Sequence, residues 1–176
     1  MNRVLKAGPL GEGATDEMVA LGALLGDSAL MNTYLDRAIK RLKANLRSED
    51  APKTERAMRA LVAYGQGGYQ EAYELSISNG MDVGQASLIL VGGMAALRLQ
   101  HWEDATKLFE TFIGYGPRTG LSCRLGVAHV MLARAHAGAG RIAEARKSYD
   151  AAFRLWKDAD PDLPLLVEAR QEYQRL

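Results

Sequence analysis

Apolar and small residues recur at three- and four-residue spacing along almost the whole chain, and runs alternating apolar with polar residues between turns are missing. A period near 3.6 gathers such residues on one helix face, so the pattern predicts an all-α protein. Start and stop signals cut it into helices over 15–25, 28–46, 53–65, 69–78, 84–98, 102–113, 122–138, 142–157 and 164–175. Glycine and proline supply most breaks, at Gly26-Asp27, Gly65 to Gly68, Asn79-Gly80, Gly114 to Gly120, Gly138 to Gly140 and Asp158 to Pro164. Residues 1–13, carrying three glycines and a proline, read as a flexible N-terminus before one helical domain over 14–176.

Short helices paired by tight turns raise the question of internal repeats. The segments GGYQEAYEL, QHWEDATKLF and GRIAEARKSY align on Ala72, Ala105 and Ala145, spaced 33 and 40 residues apart. An acidic residue precedes each alanine (Glu71, Asp104, Glu144), and Tyr69, Trp102 and Ile142 stand three before it. Ser76, Phe109 and Tyr149 follow four residues on, while the small residues Ala60, Gly93 and Ala133 lie twelve before. Small side chains let paired helices cross closely, and an aromatic one turn later fills the gap to the next pair. The register gives repeats over about 53–79, 86–117 and 126–157, a fainter one over 14–46 with Met31, Leu35 and Ala38 at the matching places, and a closing cap over 160–176. The extra residues of the longer spacing fall in Gly114 to Gly120, expected as a loop between pairs.

These residues resemble the tetratricopeptide repeat, a helix-turn-helix unit with a period near 34. The stretch Leu155-Trp156-Lys157-Asp158-Ala159-Asp160-Pro161-Asp162-Leu163-Pro164-Leu165-Leu166, with Glu168-Ala169-Arg170-Gln171-Glu172-Tyr173, is similar to the tail of large bacterial signalling proteins. In those proteins a Ser/Thr kinase or winged-helix domain precedes tetratricopeptide repeats. The likeness extends more faintly back to about Leu21. It implies a right-handed α-α superhelix of three to four hairpins plus a C-terminal capping helix, acting as a non-catalytic interaction scaffold in signalling or regulation. No kinase chemistry is implied, because the chain has no glycine-rich loop followed by V-A-I-K, no H-R-D and no D-F-G. Whether it is free-standing or the tail of a larger regulator stays open.

If the hairpins stack, the first helix of each lines a concave face. Counting through the register places Ala57, Leu61 and Tyr64, then Leu90, Met94 and Leu97, then Val130, Arg134 and Ala137 on it. Arg98 stands beside them. The expectation is a mostly apolar groove for an extended or helical peptide, with Met94 adaptable and Arg134 meeting an acidic group. An equally weighted alternative has that stripe covered by the N-terminal helices or by neighbouring repeats.

Charge and chemistry narrow the rest. Twenty-two Lys+Arg against 21 Asp+Glu leave a net charge of +1, which argues against a dedicated nucleic-acid binder. Yet Arg37, Lys40, Arg41, Lys43 and Arg47 concentrate charge on one segment, so an anionic-ligand or RNA adaptor is an alternative reading. One cysteine excludes an internal disulfide, and no 18-residue apolar run or secretory leader is present, which points to the cytoplasm and away from a membrane. His129 and His136 lie seven apart, too far for helix ligands at three or four, so His136 reads as a packed histidine. A small metal-dependent enzyme using His129, His136 and Cys123 is the other alternative; no cofactor is expected. Asp158, Asp160 and Asp162 open a calcium-loop pattern, but Leu163 and Ala169 replace its glycine and glutamate, leaving Asp160 or Asp162 as a helix N-cap.

Overall fold

The computed structural model describes residues 22, 29, 32–37, 40, 51–78, 86–119 and 122–176. Among them every regular element is helical: α1 (Ala51–Gly65), α2 (Tyr69–Ile77), α3 (Ala86–Arg98), α4 (Trp102–Thr119), α5 (Ser122–Gly138), α6 (Ile142–Leu155) and α7 (Pro164–Arg175). Residues 32–37 are helical as well. The flexible terminus and most of the fainter first repeat lie outside the described residues. Each helix packs on its successor, so α1/α2, α3/α4 and α5/α6 form hairpins in series; α1 also touches α3, and α3 touches α5.

One turn closes all three hairpins. The N–H of Gly68, His101 and Arg141 donates to the carbonyl five residues back, on Ala63, Ala96 and His136, at 2.8, 2.9 and 2.8 Å. The preceding residue, Gly67, Gln100 or Gly140, donates three back at 3.0, 3.2 and 3.0 Å. This pair of bonds is a Schellman motif, and it requires a left-handed residue after the helix. Gly67, Gln100 and Gly140 take φ of +82°, +60° and +76°. Two glycines adopt that conformation freely, whereas Gln100 holds it against its Cβ.

The second helix then starts in the same register each time. Ala72, Ala105 and Ala145 are each its fourth residue, fully buried, donating to Gly68, His101 and Arg141 at 3.0, 3.0 and 2.9 Å. Neither α2 nor α6 has a side-chain N-cap. Acidic residues in the first turn, Glu71, Glu103 with Asp104, and Glu144, complement the helix dipoles instead.

Close approach explains the small residues. A Cβ on Gly93 would stand 2.8 Å from the Phe109 ring, within one hairpin, and one on Gly92 would stand 2.6 Å from the Ser76 Cβ, across to the hairpin before. Ala60 and Ala133 occupy the matching buried places. The aromatic opening the second helix of each of the first two hairpins, Tyr69 or Trp102, reaches the end of the next hairpin's first helix. The Arg98 guanidinium lies 5.8 Å over the Tyr69 ring, and a Cβ on Gly138 would stand 2.6 Å from Trp102. Phe109, Phe112 and Tyr149 anchor the core, and α7 seals its end with Leu165, Leu166 and Ala169.

Two expectations are corrected. The loop expected over Gly114 to Gly120 is largely helix, because α4 continues to Thr119. Phe112 is buried, Ile113 and Tyr115 are half-buried, and Gly116 lies so close to the Leu125 side chain that a Cβ there would push it aside. Packing against α5 thus outweighs the local tendency of glycine to end a helix. At α7 neither Asp160 nor Asp162 is the N-cap. Leu163 is, with Pro164 in the first position where its missing N–H costs nothing, and the Leu163 carbonyl accepts from Leu166 and Val167 at 2.9 and 3.0 Å.

Candidate functional site

The first-helix residues do not line an open apolar groove. Leu61, Leu90, Met94 and Val130 are 1%, 0%, 3% and 0% exposed, and Tyr64 is 7% exposed. They share one core cluster with Tyr34 and Leu35 of the upstream helical segment. Among the described residues α3 also touches both α1 and α5. Leu97 is half-buried and Arg98 exposed.

Arg134 is the second correction to that groove, because its charge is already met. Its Nη2 donates to Glu172 Oε1 at 2.8 Å and Glu168 Oε2 at 3.1 Å, and its Nε to Glu172 Oε2 at 3.0 Å. Burial works against the guanidinium charge, but the two carboxylates more than offset it and raise its pKa. Both acids come from α7, four residues apart on one face. The buried Tyr149 hydroxyl donates to the same Glu172 Oε2 at 2.5 Å. Burial first, then this bond to a carboxylate, pushes the Tyr149 pKa up. An arginine and a tyrosine thus grip one carboxylate where α7 meets α5 and α6.

One hairpin earlier the same two residue types meet without an acid. Arg98 sits beside the Tyr64 hydroxyl, and its surroundings among the described residues contain Tyr64, Tyr69 and Arg134 but no carboxylate. The rings of Tyr64 and Tyr69 pack at 5.2 Å, forming the bed on which the guanidinium rests. Burial raises the Tyr64 pKa, and the neighbouring Arg98 opposes that.

The turns carry a second polar band. Tyr73 donates to Asp104 Oδ2 at 2.8 Å and meets the His101 ring edge-on at 5.3 Å. Desolvation and the Asp104 carboxylate push the Tyr73 pKa up to about 12. Arg141 forks onto both oxygens of Glu103 at 2.7 and 2.8 Å, donates to Thr106 at 2.9 Å and reaches His136 Nδ1 at 3.2 Å. An open cleft of about 610 Å³ lies between, walled by Tyr73, Trp102, Asp104 and Gly138 among others. The turn band joins consecutive hairpins, the Arg134 band joins the third hairpin to α7, and the carboxylates in both already have partners.

The remaining sequence candidates scatter. His136 is buried with Arg141 as partner; desolvation, then the Arg141 charge, lowers its pKa. His129 has a buried Nδ1 without a hydrogen bond, and burial lowers its pKa too. Cys123 belongs to α5, and its side chain lies outside what is described. Among the described residues no three of His, Cys, Asp and Glu converge as a metal site. Of the basic 37–47 segment only Arg37 and Lys40 are described, both exposed, with Arg37 lying 5.2 Å over the Tyr34 ring. No helix among the described residues is long and apolar enough to cross a membrane.

Sequence reasoning found Arg98 and Arg134 but missed what surrounds them. Glu172 was readable only as part of a capping helix, though its place four residues after Glu168 on a helix facing Arg134 was a usable signal. No protein-family model matches the chain, and searches of curated proteins and of solved structures likewise return no match.

Proposed function

We propose that this chain is a non-catalytic protein-interaction module, a right-handed α-α superhelix of tetratricopeptide type that holds a segment of a partner protein in the cytoplasm during bacterial signalling or regulation. The observation that carries the reading is the recurrence of one hairpin. The same turn and the same buried alanine appear at Gly67/Ala72, Gln100/Ala105 and Gly140/Ala145, and the first two hairpins interlock with the next in the same way, through Tyr69 on Arg98 and Trp102 on Gly138. Stacked units of one design produce an extended surface whose parts are fixed relative to one another, which suits recognition of a partner. The capping helix α7 completes the stack, its outer positions Glu168, Arg170 and Gln171 exposed. In this reading the buried stripe from Leu61 to Val130 builds the scaffold, and recognition falls to the polar rim where the hairpins meet.

Selection from a displayed peptide library against the immobilised full chain tests this, followed by calorimetry with the recovered sequences. A recurring motif that binds stoichiometrically at micromolar strength, about −8 kcal/mol, supports the reading. No enriched motif, together with one zinc or iron per chain by elemental analysis, favours the metal-enzyme reading instead.

A further inference from the structure

Two arginines on the first-helix face differ in one respect. Arg134 is held by a carboxylate that α7 supplies, with the Tyr149 hydroxyl on the same oxygen. Arg98, the last residue of α3, has the tyrosine but no acid among the described residues. Its guanidinium is exposed, lies over the Tyr69 ring and abuts the Tyr64 hydroxyl, so its long side chain is already ordered before anything binds. A planar fork with several N–H donors and no counter-charge among the described residues is matched by a carboxylate bound through both oxygens.

We propose that Arg98, bedded on Tyr64 and Tyr69, is the docking point for a glutamate or aspartate side chain on a segment of a partner protein, which it grips as Arg134 and Tyr149 grip Glu172. This rests on the reading of the chain as an interaction module and names the chemistry of its partner. Pre-ordering of the arginine lowers the entropy lost on binding, and charge complementarity rejects a basic segment at the same place.

The test uses the full ¹⁵N-labelled chain and an alanine-based helical peptide with two glutamates four residues apart, the spacing of Glu168 and Glu172. The expected result is a saturable shift of the Arg98 Nε–H resonance with that peptide and none with its glutamine counterpart. Arg98→Gln should weaken binding about tenfold or more, a loss of about 1.4 kcal/mol or more, while Arg98→Lys keeps part of it. Arg98 is exposed, so circular dichroism of both variants should match the parent, and the melting temperature should fall only by the small contribution of the Tyr69 ring contact. An unmoved Arg98 resonance, or equal shifts from the glutamate and glutamine peptides, overturns the proposal. So does a shift that acetate, inorganic phosphate or a short RNA reproduces as strongly as the peptide. If library-selected peptides bind the chain but ignore Arg98→Gln, the docking point is wrong and the interaction module stands; if no peptide binds anywhere, that reading falls with it.

Discussion

Gln100 holds a left-handed backbone at φ +60° where the other two hairpins place Gly67 and Gly140. A residue with a Cβ gives up about 1–2 kcal/mol there. Replacing it by glycine removes that strain but returns about 0.5–1 kcal/mol of backbone freedom to the unfolded chain. The Gln100 side chain is exposed, so its deletion changes little else. The balance predicts that Gln100→Gly stabilises the protein by about 0.5–1 kcal/mol. For a domain of this size that raises the melting temperature by about 1–4 °C. Gly140→Gln should do the reverse by a similar amount, because it loads the same strain onto the next turn. Scanning calorimetry and urea titration of the parent and both variants decide it. A lower melting point for Gln100→Gly, with Gly140→Gln neutral, would refute the equivalence of the turns.

Gly138→Ala should destabilise by about 1–2 kcal/mol despite alanine's better helix propensity, since its Cβ would stand 2.6 Å from the Trp102 ring; Trp102 fluorescence, in a Trp156→Phe background, should shift to the red. Glu172→Gln should cost about 1–2 kcal/mol, discounted because the pair keeps 27% and 32% of its side-chain surface in water, and urea midpoints with an Arg134→Met/Glu172→Leu double variant separate pairing from burial. Stability should also depend on pH at both ends. His129 and His136 have lowered pKa values in the fold, so the unfolded chain binds more protons and stability falls as pH drops below about 6.5. Tyr73 and Tyr149 have raised values, so the unfolded chain loses protons first and stability falls as pH rises from 10 toward 12. Urea midpoints that stay flat from pH 7 to 5, and tyrosine absorbance that titrates at 10 before unfolding, would contradict these two limbs.

Helical periodicity and the alanine register were legible because both express the packing of short, local units. The turn itself was legible too: Gly67, Gln100 and Gly140 are spaced 33 and 40 residues apart like the alanines, although a glutamine at the middle place hides the conformation. Helix ends set by distant partners were not. Gly114, Gly116 and Pro117 read as a loop, yet contact with α5 keeps the helix going. Asp160 and Asp162 read as caps, but the Leu163 carbonyl begins α7 and Asp162 instead raises the pKa of Asp160 through a hydrogen bond and its charge. Leu61, Leu90 and Val130 were read onto one helix face, but periodicity reports a face and not whether that face is covered, and all three are buried. The Arg134 and Tyr149 grip on Glu172 joins three helices, and local spacing records no such meeting.

The most direct measurement is a nuclear Overhauser spectrum of the full chain at the joints between hairpins. Equivalent stacked hairpins require cross-peaks from the Trp102 indole to Gly138 and from the Tyr69 ring to Arg98, each linking the start of one second helix to the end of the next first helix. Assigned spectra in which Trp102 and Tyr69 instead contact unrelated residues would contradict the shared register of the three hairpins.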